Sequence, residues 1–104
     1  MTYKKIAVAP MSGALGAEIR GVDLTRADDA TWNEIRAAYL DRLILAFPDQ
    51  PLDPKGIVKV AEHFGAVGFY PFAQGLAEEP HVFAIVKEPH ETKNFGEGWH
   101  SDTT

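Results

Sequence analysis

The chain has 104 residues, with 10 Lys and Arg against 15 Asp and Glu, a formal net charge of −5 and no cysteine; 45% of it is hydrophobic and 24% charged. That balance is one of a small globular domain, or of part of a larger one, and not of a disordered tail. It excludes disulfide scaffolds, thiolate zinc sites and cysteine nucleophiles, and with no Lys/Arg stripe it argues against a nucleic-acid or an anionic membrane partner.

No apolar run reaches the roughly 20 residues of a membrane span. Pro10, Ser12, Gly13 and Gly16 break up the apolar stretch behind Lys4-Lys5, so it reads as mature protein rather than a signal peptide, and the expected location is the cytoplasm. Residues 3–9 alternate around Ile6 and Val8 and stop at Pro10, which predicts a short strand. A turn at 12–16 leads to a second strand over 17–24, bent at Gly21. Asp28-Asp29-Ala30-Thr31 offers several N-caps, and Thr31-x-x-Glu34 fits a capping box. Trp32, Ile35, Tyr39, Leu40 and Leu43 then recur at helical spacing and predict a core-covering helix over about 29–42. Leu43 to Phe47 is a continuous apolar run. Because Pro48 forces extended geometry on the residue before it, a buried strand is expected there.

Asp53-Pro54 is an N-cap followed by proline at the first helical position, predicting a helix over 54–64. Its apolar stripe is Ile57, Val60, Ala61 and Phe64, and Gly65 stops it. His63, near its end, is expected as a partly exposed imidazole favoured by the helix dipole and not as a ligand. The loop over 66–80 carries Phe69, Tyr70 and Phe72, either as a binding wall or as a lid over core. Residues 81–87 form an apolar run between Pro80 and Pro89 and are expected as a buried strand. The stretch up to Gly98 is polar and turn-rich.

The chemistry-bearing stretch is Trp99-His100-Ser101-Asp102-Thr103-Thr104. On a strand, His100 and Asp102 point to the same face. An imidazole beside a carboxylate supplies two of the three protein ligands of a mononuclear iron site. Taken alone, His-x-Asp is a weak signal, and a histidine hydrogen-bonded to its neighbour competes with it. A second grouping, His90, Glu91, Glu97 and His100, spans a turn with no fixed ligand spacing.

The order of elements strengthens the first reading. Gly16-Ala17-Glu18-Ile19-x-Gly21-Val22-Asp23-Leu24, then Leu43 to Phe47 leading into Asp49-Gln50, then His63-Phe64-Gly65, then the final hexapeptide, together resemble the taurine dioxygenase-like (TauD/TfdA) family of Fe(II)/2-oxoglutarate-dependent dioxygenases. The resemblance runs along nearly the whole chain, and the hexapeptide is its most specific part. It implies that His100 and Asp102 bind Fe(II). It further implies 2-oxoglutarate as co-substrate, consumption of O2, release of succinate and CO2, and hydroxylation of a small organic substrate, expected to be anionic. By the same resemblance Trp99 braces the metal-bearing strand from outside the ligand set. Tyr70 stands before Pro71 where taurine-hydroxylating members carry a substrate-contacting histidine, a departure that puts taurine in question; Tyr70 and Asn94 are the candidate substrate-binding residues. Thr103 and Thr104 could face the site through their hydroxyls, although plain strand propensity is the better explanation of them.

The implied fold is mixed α+β: residues 1–104 as the N-terminal portion of a single double-stranded β-helix domain (jelly-roll, cupin-like), with two flanking helices at about 29–42 and 54–64. Family members are much longer. The third iron ligand, a distal histidine, and the arginine that pairs with 2-oxoglutarate have no match here, so no cofactor-binding residue beyond the metal pair is expected within the chain. Such a portion leaves an inner sheet face and edges uncovered, and the chain expressed alone is expected to fold poorly. Two readings follow: the N-terminal part of a dioxygenase that as a whole could form homo-oligomers, or a non-catalytic fragment acting as a metal- or partner-binding module.

Overall fold

A computed structural model describes residues 2–102. They fall into two compact units, divided between Val67 and Gly68. Thr103 and Thr104, for which strand or site-facing roles were expected, lie outside the described residues.

The first unit holds every regular element of the described residues: β1 (Ala7–Pro10), β2 (Ala17–Arg20), α1 (Asp29–Arg42), β3 (Leu45–Ala46) and α2 (Pro54–Glu62). The sheet order is β1-β2-β3. β1 and β2 pair antiparallel, Val8 opposite Ile19, while β2 and β3 pair parallel, Ala17 opposite Leu45. A parallel pair needs a crossover, and α1 supplies it. β2 shows the period of two that a half-buried strand requires: Ala17 and Ile19 are fully buried, and Glu18 between them is not. The second strand is shorter than expected. It ends at Arg20 because Gly21 adopts φ +76°, a left-handed bend that costs glycine nothing.

Ile6, Ala17, Ile19 and Leu24 meet Trp32, Ile35 and Ala38 of α1 in one core. Burying a side chain the size of Ile19 or Ile35 contributes about 1.5–3 kcal/mol each. The expected apolar stripe of α1 is rotated. Thr31, Trp32, Ile35 and Ala38 are buried, whereas Leu40 and Leu43 are exposed. From Ile35, the i+3 step reaches Ala38 and the i+4 step reaches Tyr39. The small Ala38 takes the buried position, and Tyr39 swings to the side.

The cap of α1 is Asp28. Its Oδ1 accepts the backbone N–H of Thr31 at 2.8 Å and the Thr31 hydroxyl at 2.7 Å. These bonds hold the Asp28 carboxyl below its ordinary pKa, the hydroxyl contributing most and the backbone N–H next. The Thr31/Glu34 capping box does not form. Glu34 instead accepts the N–H groups of Lys4 at 2.6 Å and Lys5 at 2.9 Å, tying the entry to β1 against the helix. At the other end Leu43 is the left-handed cap, its N–H donating to the Tyr39 carbonyl. That role exposes Leu43 and Ile44 and shortens the expected five-residue buried strand to Leu45–Ala46. The Arg42 guanidinium donates to the carbonyls of Ser12, Gly13 and Gly16, pinning the β1–β2 turn.

Gln50 does work that its loop position concealed. Its amide N–H donates to the Val22 carbonyl at 2.9 Å and its Oε1 accepts the Leu24 N–H at 2.8 Å. The segment after Gly21 is thereby satisfied as a neighbouring strand would satisfy it. α2 starts as expected, with Asp53 accepting the Gly56 N–H at 2.7 Å and Pro54 following. It ends at Glu62, and its buried residue is Val58, with Ile57 exposed. The His63 ring, exposed as expected, lies flat on Trp32 at 3.7 Å, and Phe64 stands edge-on to Trp32 and Tyr39. These rings fasten the end of α2 to α1.

The second unit has no helix or strand among its described residues. The buried strand expected over 81–87 is absent: Ile85 and Val86 are exposed. An extended run becomes a strand only when a neighbour pairs its backbone. Among the described residues of this unit the run makes turn-type bonds instead, Leu76 N–H to the Val82 carbonyl and Val82 N–H to the Glu79 carbonyl.

Candidate metal centre

Residues 94–98 are turn-like, as expected, but the strand expected to carry His100 and Asp102 is absent, and the chain stays irregular through residue 102. The Asn94 N–H donates to Glu97 Oε2 at 3.0 Å, closing the turn. Gly96, at φ +68°, reverses the chain, and the His100 ring lies over it: a Cβ there would stand 3.5 Å from His100 Cε1. The Gly98 carbonyl then meets His100 Nδ1 at 2.7 Å.

That last bond fixes the imidazole. A carbonyl oxygen only accepts, so Nδ1 carries the hydrogen and Nε2 of a neutral ring presents its lone pair. Nε2 faces Asp102 Oδ1 at 3.3 Å. Two acceptors at that distance repel unless a proton or a metal cation lies between them. Holding the far nitrogen of a histidine on a backbone carbonyl is also how protein sites orient an imidazole toward a metal. Both side chains are open to solvent, Asp102 almost fully, so a cation reaches them without rearrangement. His100 and Asp102 are thus side by side, though a turn and not strand alternation brings them there.

Other expectations fare differently. Trp99 does not brace this pair; its side chain is fully exposed, and with Glu97, Gly98 and His100 it lines a shallow cleft of about 330 Å³. Without strand pairing, nothing turns the indole inward. Among the described residues no three His, Asp or Glu side chains gather as a metal-binding group, so the grouping of His90, Glu91, Glu97 and His100 does not form. Tyr70 stacks on Phe83 at 4.9 Å and meets Phe95 edge-on at 6.3 Å. Phe95 also stands edge-on to Phe83 at 6.2 Å. Tyr70 belongs to this cluster, whereas Asn94 adjoins it only as the sequence neighbour of Phe95, its own N–H turned to Glu97.

Sequence reading missed Phe83, Phe95 and the Gly98 carbonyl. The signal for the rings was present, as the first two aromatics downstream of the aromatic loop, but their meeting depends on turns with no regular period. It also missed a second imidazole–carboxylate contact, His81 Nδ1 to Glu79 Oε1 at 2.7 Å, with Phe69 stacked on the His81 ring at 4.0 Å. In the first unit, clefts of about 370 and 530 Å³ border Trp32 and His63. There the face of the His63 ring is taken by its stack on Trp32.

Comparison with known proteins places these features in a wider set. The family model described as "Taurine catabolism dioxygenase TauD, TfdA family" matches residues 7–104. An (S)-phenoxypropionate/alpha-ketoglutarate-dioxygenase from Sphingobium herbicidovorans is 30% identical over 100 residues, covering 93% of this chain and 35% of that relative. A protein of the same name from Delftia acidovorans is 37% identical over 60 residues, 58% of this chain and 20% of the relative. The crystal structure of a putative alpha-ketoglutarate-dependent taurine dioxygenase from Burkholderia xenovorans superposes with a TM-score of 0.65 at 35% identity, over 72% of this chain and 28% of that one. The chain therefore spans about a third or less of the length of the relatives it matches.

Proposed function

The chain belongs to the TauD/TfdA family, and on that footing we propose that it forms the N-terminal part of an Fe(II)- and 2-oxoglutarate-dependent dioxygenase with a double-stranded β-helix domain. His100 and Asp102 are two of its iron ligands. The observation that carries this reading is the pair of facing acceptors, Nε2 and Oδ1 at 3.3 Å, with the imidazole already held from behind by Gly98. The residue types fit the metal: an imidazole and a carboxylate on one face, with the opposite face left open, suit non-haem iron.

The chemistry supplied when iron, 2-oxoglutarate and O2 are bound is a paired oxidation: one oxygen atom ends in succinate, formed with CO2, and the other in the hydroxylated substrate. The protein's part is to bind, orient and shield. His100 gives a neutral nitrogen and Asp102 a negative charge, so the pair offsets one of the two charges of Fe(II). Gly98 keeps the imidazole in the metal-binding tautomer. Tyr70 and Asn94 line the approach of the substrate, a small organic anion of the aryloxyalkanoate or sulfonate kind. The distal histidine and the arginine for 2-oxoglutarate lie downstream of Thr104.

Two measurements test this. Reading the gene past the codon for Thr104 should give an open frame with a distal histidine and then an arginine; a stop codon there overturns the assignment as a self-sufficient catalyst. The full-length protein should convert 2-oxoglutarate to succinate only with Fe(II), and His100→Ala should abolish it. Undiminished turnover in that variant removes His100 from the ligand set.

A further inference from the structure

Phe95 has no role in the ligand set, yet it joins the turn bearing His100 to an aromatic cluster elsewhere in its unit. Its ring stands edge-on to both members of the Tyr70–Phe83 stack, at 6.3 Å and 79° to one and 6.2 Å and 64° to the other. Those separations lie within the range in which aromatic rings attract edge-to-face. On its far side comes Gly96 at φ +68°, whose backbone lies beneath the His100 ring. Asn94, on its near side, is closed onto Glu97. The turn is short, so a shift at Phe95 passes through Gly96 and Gly98 to the imidazole with little to absorb it.

We propose that Phe95 is a positioning residue for the metal pair: anchored on Tyr70 and Phe83, it fixes the Gly96–Gly98 turn so that His100 Nε2 meets Asp102 in ligand geometry. This rests on the assignment of His100 and Asp102 as iron ligands. Phe95 has no atom that can ligate a metal, and much of its side chain is exposed, so it contributes little as core. Its effect is on orientation, as with the outer partners of metal ligands, whose loss typically weakens binding about 10–100-fold.

The test uses the full-length protein, with Fe(II) and, as a spectroscopic probe, Co(II), titrated without air into wild type, His100→Ala, Phe95→Ala, Phe95→Tyr, Gly96→Ala and Ile85→Ala. Phe95→Ala should weaken metal binding about 10–100-fold and change the visible Co(II) spectrum, which reports ligand geometry. Phe95→Tyr keeps the ring edge and should restore both. Gly96→Ala leaves the aromatic cluster intact but cannot hold φ +68° without strain, so it should also weaken binding. It decides the matter if Phe95→Ala fails to fold. Ile85, exposed and outside the cluster, should tolerate alanine with no change. Wild-type affinity and spectrum in Phe95→Ala, or in Gly96→Ala where it is the deciding variant, alongside lost binding in His100→Ala, overturns the positioning role and leaves the ligand assignment standing. Wild-type binding in His100→Ala overturns both.

Discussion

Truncating Ile35 to valine and then to alanine tests the packing of α1 against the sheet. Ile35 is fully buried among Ile6, Ala17, Ile19 and Trp32. Valine removes one carbon from that core and alanine three. At about 0.8 kcal/mol per buried methylene, transfer alone costs about 0.8 and about 2.4 kcal/mol. The cavity left behind adds to this, which puts each cost in the upper part of its usual range, up to about 1.5 kcal/mol for Ile35→Val and up to about 5 for Ile35→Ala. Denaturant unfolding can be followed by fluorescence, because Trp32 is buried beside Ile35 while Trp99 is already exposed and changes little. The midpoint should fall in steps while the slope stays constant, which marks a change of stability and not of the denatured state. A loss under about 1 kcal/mol for Ile35→Ala would refute the burial of this face, as cavity formation at a fully packed site does not cost so little.

Gln50→Ala should cost about 1–3 kcal/mol, because it orphans the Leu24 N–H and the Val22 carbonyl together; hydrogen exchange at the Leu24 amide should quicken in step, and an unchanged rate would contradict the bridge. Asp28 gives a pH dependence whose sign follows from its lowered folded-state pKa. Its contribution is fully present above the ordinary carboxylate value of about 4 and is lost as pH falls through the lower folded value. Asp28→Asn keeps a capping oxygen but does not titrate, so it should flatten that part of the acid-unfolding profile; an identical profile would show that the cap does not depend on charge.

Much of this was legible in the sequence because local chemistry decided it. The start of each helix was read from a capping carboxylate, Asp28 among several candidates and Asp53 followed by proline, and the bend after β2 from Gly21. The capping box failed because Glu34 had a stronger claim on it elsewhere, the backbone of Lys4 and Lys5, nearly thirty residues away in sequence. Helical period alone did not choose between Ala38 and Tyr39; that choice depends on what the helix lies against. The strand expected at 81–87 was read from composition, but pairing needs a second segment, and periodicity carries no information about one. His100 and Asp102 lie side by side, as their spacing led one to expect, although the strand meant to align them is absent. What aligns them, the Gly98 carbonyl and the left-handed Gly96, acts through the backbone and leaves little trace in residue type beyond the glycines themselves.

Whether His100 and Asp102 hold a metal can be measured directly. Anaerobic Fe(II) titration of the full-length protein, read by calorimetry, measures this without requiring the substrate. One Fe(II) per chain is predicted for wild type, with His100→Ala and Asp102→Ala each losing affinity beyond the about 10–100-fold typical of outer partners. Wild-type Fe(II) affinity in either variant would contradict the assignment.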